Sequence, residues 1–211
     1  MGKLWIFDFD GTLVDSEAAI KHCYLKVTEK LLPERINFVK NILIGPTLEE
    51  TTQIILTNKN LHLKNQFMKE FQSQYDSGMV LETPIYPNVN EVLQKLKNNG
   101  DSLSVLTNKR AIPTHKLINH YNWNHLFDWV ACMDEYPDLK NKSELLNKQD
   151  IPKKNYSKIF LVGDTVGDGQ VANSNNFYFI KANYGYGSSM KWEVIKIYED
   201  IDDFQQILSL N

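Results

Sequence analysis

Cysteine is scarce in this 211-residue chain: only Cys23 and Cys132 occur, far apart. Neither has another Cys or a His at metal-ligand spacing along the sequence, so no disulfide framework or zinc motif is read, and two reduced, buried thiols are expected. Charge of one sign is equally scarce. The net charge is −3 and no long acidic or basic run occurs, so nothing electrostatic points to nucleic acid or a membrane surface. No apolar run approaches the roughly 20 residues of a membrane span. Near the amino end, Asp8 and Asp10 interrupt the apolar Leu4–Phe9 stretch and no basic segment precedes it, so no secretion signal is expected. Internal repeats and low-complexity tracts are absent. The five histidines are scattered without pairing and are expected at ordinary surface or helix positions. Together these absences lead us to expect a protein of the reducing cytoplasm.

What is present is an ordinary globular composition, 42% hydrophobic and 23% charged, which can bury a sizeable core in one domain or one domain with an insertion. Lys3–Phe9 reads as a short buried strand ending in a Gly11–Thr12 turn. From Ser16 to about Gly78 the apolar spacing is helical: Ile20, Cys23, Tyr24, Val27 and Leu31 form one stripe, Leu48 to Leu56 a second helix, and Phe67, Phe71 and Tyr75 a third. The segment Pro84–Pro87 is a stiff connector. Asn88 and Glu91 have capping-box spacing before a helix carrying Val89, Val92, Leu93 and Leu96.

Beyond Gly100 strands and helices alternate. Strands are expected at 103–106, 129–133, 159–162 and 177–180. Helices are expected near 114–121, 143–148 and 170–176, with a last one carrying Phe204, Ile207 and Leu208. Such alternation predicts an α/β fold: a Rossmann-like parallel sheet covered on both faces, with the helical block inserted after the first strand. The expected domains are residues 1–15 with 83–211 as the core and 16–82 as a helical cap.

In a parallel sheet the loops at the carboxyl ends of the strands gather at one edge, where ligands bind. The polar residues of this chain concentrate there. Asp8 and Asp10 follow the first strand, Thr107-Asn108-Lys109 the second, and Lys140 and Lys142 the third. Gly163-Asp164-Thr165-Val166-Gly167-Asp168 follows the fourth and Asn183–Gly187 the fifth. Residues two apart in extended chain share a side, so Asp8 and Asp10 repel unless a cation lies between them or one is protonated. Adding Asp164 and Asp168 puts four carboxylates at one edge, and an oxygen-only donor set favours Mg²⁺ over zinc. With Thr107 and a lysine nearby, phosphate chemistry is the expectation. One aspartate can act as nucleophile without a base, and a second can protonate the leaving oxygen and later deprotonate water. Lys109 and Arg110 are expected to be a solvated basic pair.

These residues resemble the haloacid dehalogenase superfamily of phosphohydrolases. Asp8-Phe9-Asp10-Gly11-Thr12-Leu13 is similar to its first motif, Thr107 in Leu106-Thr107-Asn108-Lys109 to its second, and Gly163–Asp168 to its fourth. Its third motif, a lysine, is Lys142 or Lys140. Lys142 is preferred because Glu144-Leu145-Leu146 then opens the following helix, although the family's usual Lys-Pro is missing. The resemblance implies that Asp8 is a nucleophile forming an aspartyl-phosphate and Asp10 the general acid/base. Thr107, Asn108, Lys142 and Gly11 would bind substrate. Asp8, the Asp10 carbonyl and Asp164 would hold Mg²⁺, with Asp168 supporting that sphere.

Within the family the likeness is to phosphoglycolate phosphatases. Ile44-Gly45-Pro46-Thr47-Leu48-Glu49-Glu50 resembles their cap loop, Tyr86-Pro87-Asn88-Val89 their segment re-entering the core, and Tyr184-Gly185-Tyr186-Gly187 their late glycine-rich loop. Asn88 stands where they have glycine, read as a helix-cap swap. The implied activity is Mg²⁺-dependent hydrolysis of a small phosphorylated metabolite by a monomer or homodimer. A phosphomutase of the β-phosphoglucomutase type would use the same residues, and a catalytically silent phosphate-binding module is a further alternative. A dehalogenase ranks low, because relatives with that activity lack the second aspartate, here Asp10.

Overall fold

A computed structural model describes residues 1–210. Contacts divide the chain into two compact units, Met1–Asp15 with Ile85 onward, and Ser16–Pro84. In the first unit β1 (Leu4–Phe7), β2 (Ser102–Thr107), β3 (Trp129–Cys132), β4 (Ile159–Gly163), β5 (Tyr178–Ala182) and β6 (Glu199–Ile201) form one sheet. Its order is β3-β2-β1-β4-β5-β6 and every pairing is parallel. Leu4, Trp5, Ile6 and Phe7 are all buried. Helices cover both faces of a parallel sheet, so a central strand needs apolar side chains on both sides, and alternation disappears.

Three helices of this unit show how sequence sets position. In α5 (Val89–Asn98) the buried residues Val89, Val92, Leu93 and Leu96 recur at helical spacing and face the sheet. The first turn of α7 (Lys142–Asn147) is fixed by Asn141, whose side chain accepts from the Glu144 N–H at 3.0 Å. A reciprocal cap opens α8 (Val166–Ser174), formed by Thr165 and Asp168. Asn176 follows α8 at φ 58°, the left-handed end position that asparagine tolerates.

The second unit is helical: α1 (Glu17–Leu31), α2 (Ile36–Val39), α3 (Leu48–Ile55) and α4 (Lys64–Ser77). Its core is aromatic, with Tyr24 of α1 packed at a tilt 4.4 Å from Phe71 of α4, and Phe71 stacked 5.5 Å from Tyr75. A capping box between Thr47 and Glu50 starts α3.

Three sequence expectations are corrected. Asn88 forms no side-chain cap for α5, because it sits at φ 66°. A left-handed backbone cannot aim its side chain at the helix N–H groups as an extended N-cap does. Its Nδ2 instead donates to Asp203 at 3.2 Å. The final helix is a 3₁₀ segment, Phe204–Ser209, whose buried Phe204 and Ile207 lie three residues apart, the period of that helix. Before it runs β6, unforeseen because Glu199-Asp200-Ile201 offers one apolar residue, as short protected edge strands do.

Candidate active site

The strand order reverses direction between β1 and β4, and the first residues beyond these two strands are Asp8 and Asp164. Ligands bind at the carboxyl side of such a switch point. The Asp8 N–H donates to the Val162 carbonyl at 2.9 Å, holding the start of the loop against β4. Carboxylate oxygens of Asp8, Asp164 and Asp168 lie within 4.8 Å of one another, and all three residues are buried. Lys142, also buried, places Nζ 2.7 Å from Asp8 Oδ1 and 2.7 Å from Asp168 Oδ1.

Each acid is aimed by its own element. Asp168 Oδ2 accepts from the Thr165 N–H at 3.1 Å and its hydroxyl at 2.6 Å, so the cap that starts α8 leaves Oδ1 for Lys142. Asp164 Oδ2 accepts from the Tyr186 N–H at 2.7 Å, and Thr12 Oγ1 lies 3.4 Å from Oδ1. Glycine is required around Asp164. A Cβ on Gly11, which has φ +80°, would stand 2.4 Å from Asp164 Oδ2, and one on Gly187 1.8 Å from the Asp164 carbonyl oxygen.

The electrostatics are unbalanced. Three carboxylates against one ammonium would carry a formal −2 in a buried site if all were ionised. Burial pushes Asp8 up to about 7, with Asp168 adding repulsion and Lys142 opposing both. Burial pushes Asp164 up to about 8, with the charges of Asp8 and Asp168 adding to it. Burial works against the charge on Lys142, but Asp168 and Asp8 outweigh it and hold the ammonium well above its usual range. A hard divalent cation would close the deficit, and the donors are all oxygen, so the residues fit Mg²⁺ by charge and by donor type.

Asp10 stands outside this trio. Its carboxylate is paired with Lys109, whose Nζ lies 2.9 Å from Oδ1 and 3.2 Å from Oδ2. Lys109 is therefore not the solvated lysine expected from the sequence; its side chain is 4% exposed. The turn after β2 explains this. Thr107 Oγ1 accepts from the Lys109 N–H at 3.1 Å, which curls the chain at the buried end of β2, with Asn108 half-buried between them. Lys140 is exposed, and its backbone N–H bonds Glu144.

Sequence reasoning missed three contributors: Lys109, the Thr12 hydroxyl and the Tyr186 N–H. All three lie in stretches that the sequence singled out, Asp8–Leu13, Leu106–Lys109 and Tyr184–Gly187, but none had been given a role. Tyr184 lies in the same loop as Tyr186. The Tyr184 hydroxyl donates to the Thr12 carbonyl at 3.0 Å, and its ring packs 4.7 Å from Tyr86. Both cysteines are reduced and buried as expected. Burial pushes the Cys132 thiol up to about 12, with Glu135 and Asp134 adding repulsion against a Thr114 hydrogen bond that lowers it.

A doubly wound parallel sheet whose switch-point edge carries a buried carboxylate cluster defines an α/β enzyme class. Residues 5–182 match the model for haloacid dehalogenase-like hydrolases. The phosphoglycolate phosphatase of Psychrobacter arcticus is 26% identical over 217 residues, covering 98% of this chain and 94% of that protein. That of Aquifex aeolicus is 26% identical over 205 residues, covering 96% and 91%. Among solved structures, a predicted phosphoglycolate phosphatase from Haemophilus somnus aligns with a TM-score of 0.81 at 24% identity, covering 99% of this chain and 97% of that one. A haloacid dehalogenase-like family protein from Streptococcus pneumoniae aligns at 0.80 with 19% identity, covering 99% and 97%. These two likenesses speak to the fold. The chain belongs to the haloacid dehalogenase-like hydrolases and is an enzyme of that class. Among the described residues, no helix is long and apolar enough to cross a membrane.

Proposed function

We propose that the chain is a Mg²⁺-dependent phosphatase that hydrolyses a small phosphorylated metabolite through an aspartyl-phosphate on Asp8. The observation that carries this reading is the buried cluster of Asp8, Asp164 and Asp168 around Lys142, whose three carboxylates, once all ionised, need one divalent cation beside the ammonium for balance. Bound Mg²⁺ would supply charge neutralisation to the phosphoryl oxygens, held by Asp8 and Asp164 with Asp168 behind them. Every other step belongs to side chains. An Asp8 carboxylate oxygen attacks phosphorus, and the P–O bond to the leaving group breaks. Asp10 gives a proton to that oxygen. Water then attacks the phosphoryl group, Asp10 takes the proton back, and Asp8 and inorganic phosphate are released. Lys109 beside Asp10 is suited to hold that side chain in position, and Lys142 to fix Asp8 for attack. Thr107, at the end of β2, is assigned to a phosphate oxygen.

We assign the helical unit the cap role that the family likeness implies. Phosphoglycolate is the first substrate to try, because curated relatives covering most of the chain carry that name. The deciding experiment measures phosphate release from a panel of phosphoesters, phosphoglycolate included, with Mg²⁺ and with excess chelator. The reading predicts release that stops in chelator and returns when Mg²⁺ is restored. Full activity in chelator overturns the metal assignment. Isomer formation without phosphate release would turn the reading to a phosphomutase.

A further inference from the structure

A second cluster lies on the same unit, on residues the proposed mechanism leaves unused. His115 is on α6 (Ala111–His120), Cys132 ends β3, and Glu135 ends the 3₁₀ turn Met133–Glu135. One ligand atom from each lies within 4.8 Å of the others. Cys132 is fully buried, while His115 and Glu135 are exposed. We infer that His115, Cys132 and Glu135 form a second metal site, selective for a borderline divalent transition cation such as Zn²⁺.

The backbone around this cluster is fixed before any ion arrives. The Ala111 N–H donates to Asp134 Oδ1 at 2.8 Å, pinning the turn to the start of α6. That bond occupies Asp134 and leaves Glu135 as the acid of the set. The Cys132 N–H donates to Glu135 Oε2 at 3.2 Å, so the acid folds back over the strand that carries the sulfur. A carboxylate has two oxygens, and one can keep this bond while the other binds metal.

Donor chemistry selects the ion. One thiolate, one imidazole and one carboxylate suit zinc and its neighbours, whereas Mg²⁺ is poorly served by sulfur and nitrogen. Zinc bond lengths of about 2.0–2.3 Å put tetrahedral ligand atoms roughly 3.3–3.8 Å apart. The ligand atoms lie within 4.8 Å of one another, and the exposed His115 can adjust that spacing by changing rotamer while Cys132 stays still. Three protein ligands leave a fourth position for water. As the metal–sulfur bond forms, the Cys132 proton passes to solvent.

Cobalt(II) separates this site from the carboxylate cluster, because only a sulfur ligand gives a thiolate-to-cobalt charge-transfer band in the near ultraviolet. The full chain is first saturated with Mg²⁺ and then titrated with Co²⁺. The inference predicts a band saturating at one equivalent, bleached by Zn²⁺, retained in Cys23→Ser and lost in Cys132→Ser. His115→Ala and Glu135→Gln should each weaken cobalt binding at least tenfold. Both alter exposed side chains, so they decide the matter even if Cys132→Ser fails to fold by circular dichroism. No band, a band lost with Cys23 and kept with Cys132→Ser, or unchanged cobalt affinity in both exposed variants overturns the site. None of these readouts depends on phosphatase activity.

Discussion

Two clusters of ligand-type side chains lie toward the carboxyl ends of strands in one sheet, and they differ in exposure and in donor type. Asp8, Asp164 and Asp168 are buried, oxygen-only and share one lysine. His115, Cys132 and Glu135 are mixed in donor type, and two of the three are exposed. In the first, burial raises carboxylates that also repel one another, so ionising the cluster is costly until a hard cation binds. In the second, the geometry is loose at two of three corners and donor softness does the selecting. Burial makes a site exacting about charge, and donor identity makes it exacting about which metal.

The largest effect that tests this contrast is at Asp8. Asp8→Asn keeps the shape and removes the proposed nucleophile, so steady-state phosphate release should fall on the order of 10⁴-fold or more. The cobalt–thiolate band should survive the same substitution. Near wild-type turnover would refute the role of Asp8, and a lost band would show that the two clusters are not independent.

Next in size is the lysine. Lys142→Ala leaves three buried carboxylates with no ammonium, and kcat should fall about 10²–10³-fold. Lys140→Ala, at an exposed position, should stay within about twofold. If Lys140→Ala proves the more damaging, the lysine of the mechanism moves by two residues and the charge balance drawn for the cluster fails.

A smaller effect is thermal. In the metal-free protein the raised carboxylates of Asp8 and Asp164 hold protons that the unfolded chain has already released above pH 4. The folded state then binds more protons than the unfolded state, so this contribution to stability declines as pH rises from about 4 toward 8. Bound Mg²⁺ removes the penalty. The rise in Tm on adding Mg²⁺ should therefore be larger at pH 8 than at pH 5, read by calorimetry with a chelator control. An equal rise at both would show that the cluster carries no such strain.

The two clusters also differ in what the sequence disclosed. Asp8, Asp164 and Asp168 were legible because each lies at or just after the end of a strand recognisable by its apolar run, and parallel topology carries such ends to one edge. Lys142 was legible as the preferred one of two lysines, and only the placing of α7 shows that its side chain is the one turned inward. Lys109 was misread because a lysine beside an arginine looks solvated until the Thr107 turn is known. The histidine and cysteine of the second cluster stand on separate elements, 17 positions apart in number, and no local spacing foretells that α6 will lie against β3. Residue pattern reveals ligands that share a loop or a strand end, and tertiary packing alone reveals those that do not.

The same lesson separates two helix entries, and it gives the smallest predicted effect. Thr165 with Asp168 and Asn88 with Glu91 present the same capping pattern, yet only the first pair forms the box. Asn88 is left-handed and bonds Asp203 across the unit, so its backbone decides its role. Asn88→Gly loses only that hydrogen bond, whereas Asn88→Ala also forces a Cβ into the left-handed region, a further cost of about 1 kcal/mol. For a chain of this size that difference is about 2–4 °C in Tm. Thermal melts of the two variants should rank glycine above alanine, with both retaining phosphate release and the cobalt band. Equal melting temperatures would mean that the side-chain bond to Asp203, rather than the backbone angle, is what asparagine contributes there.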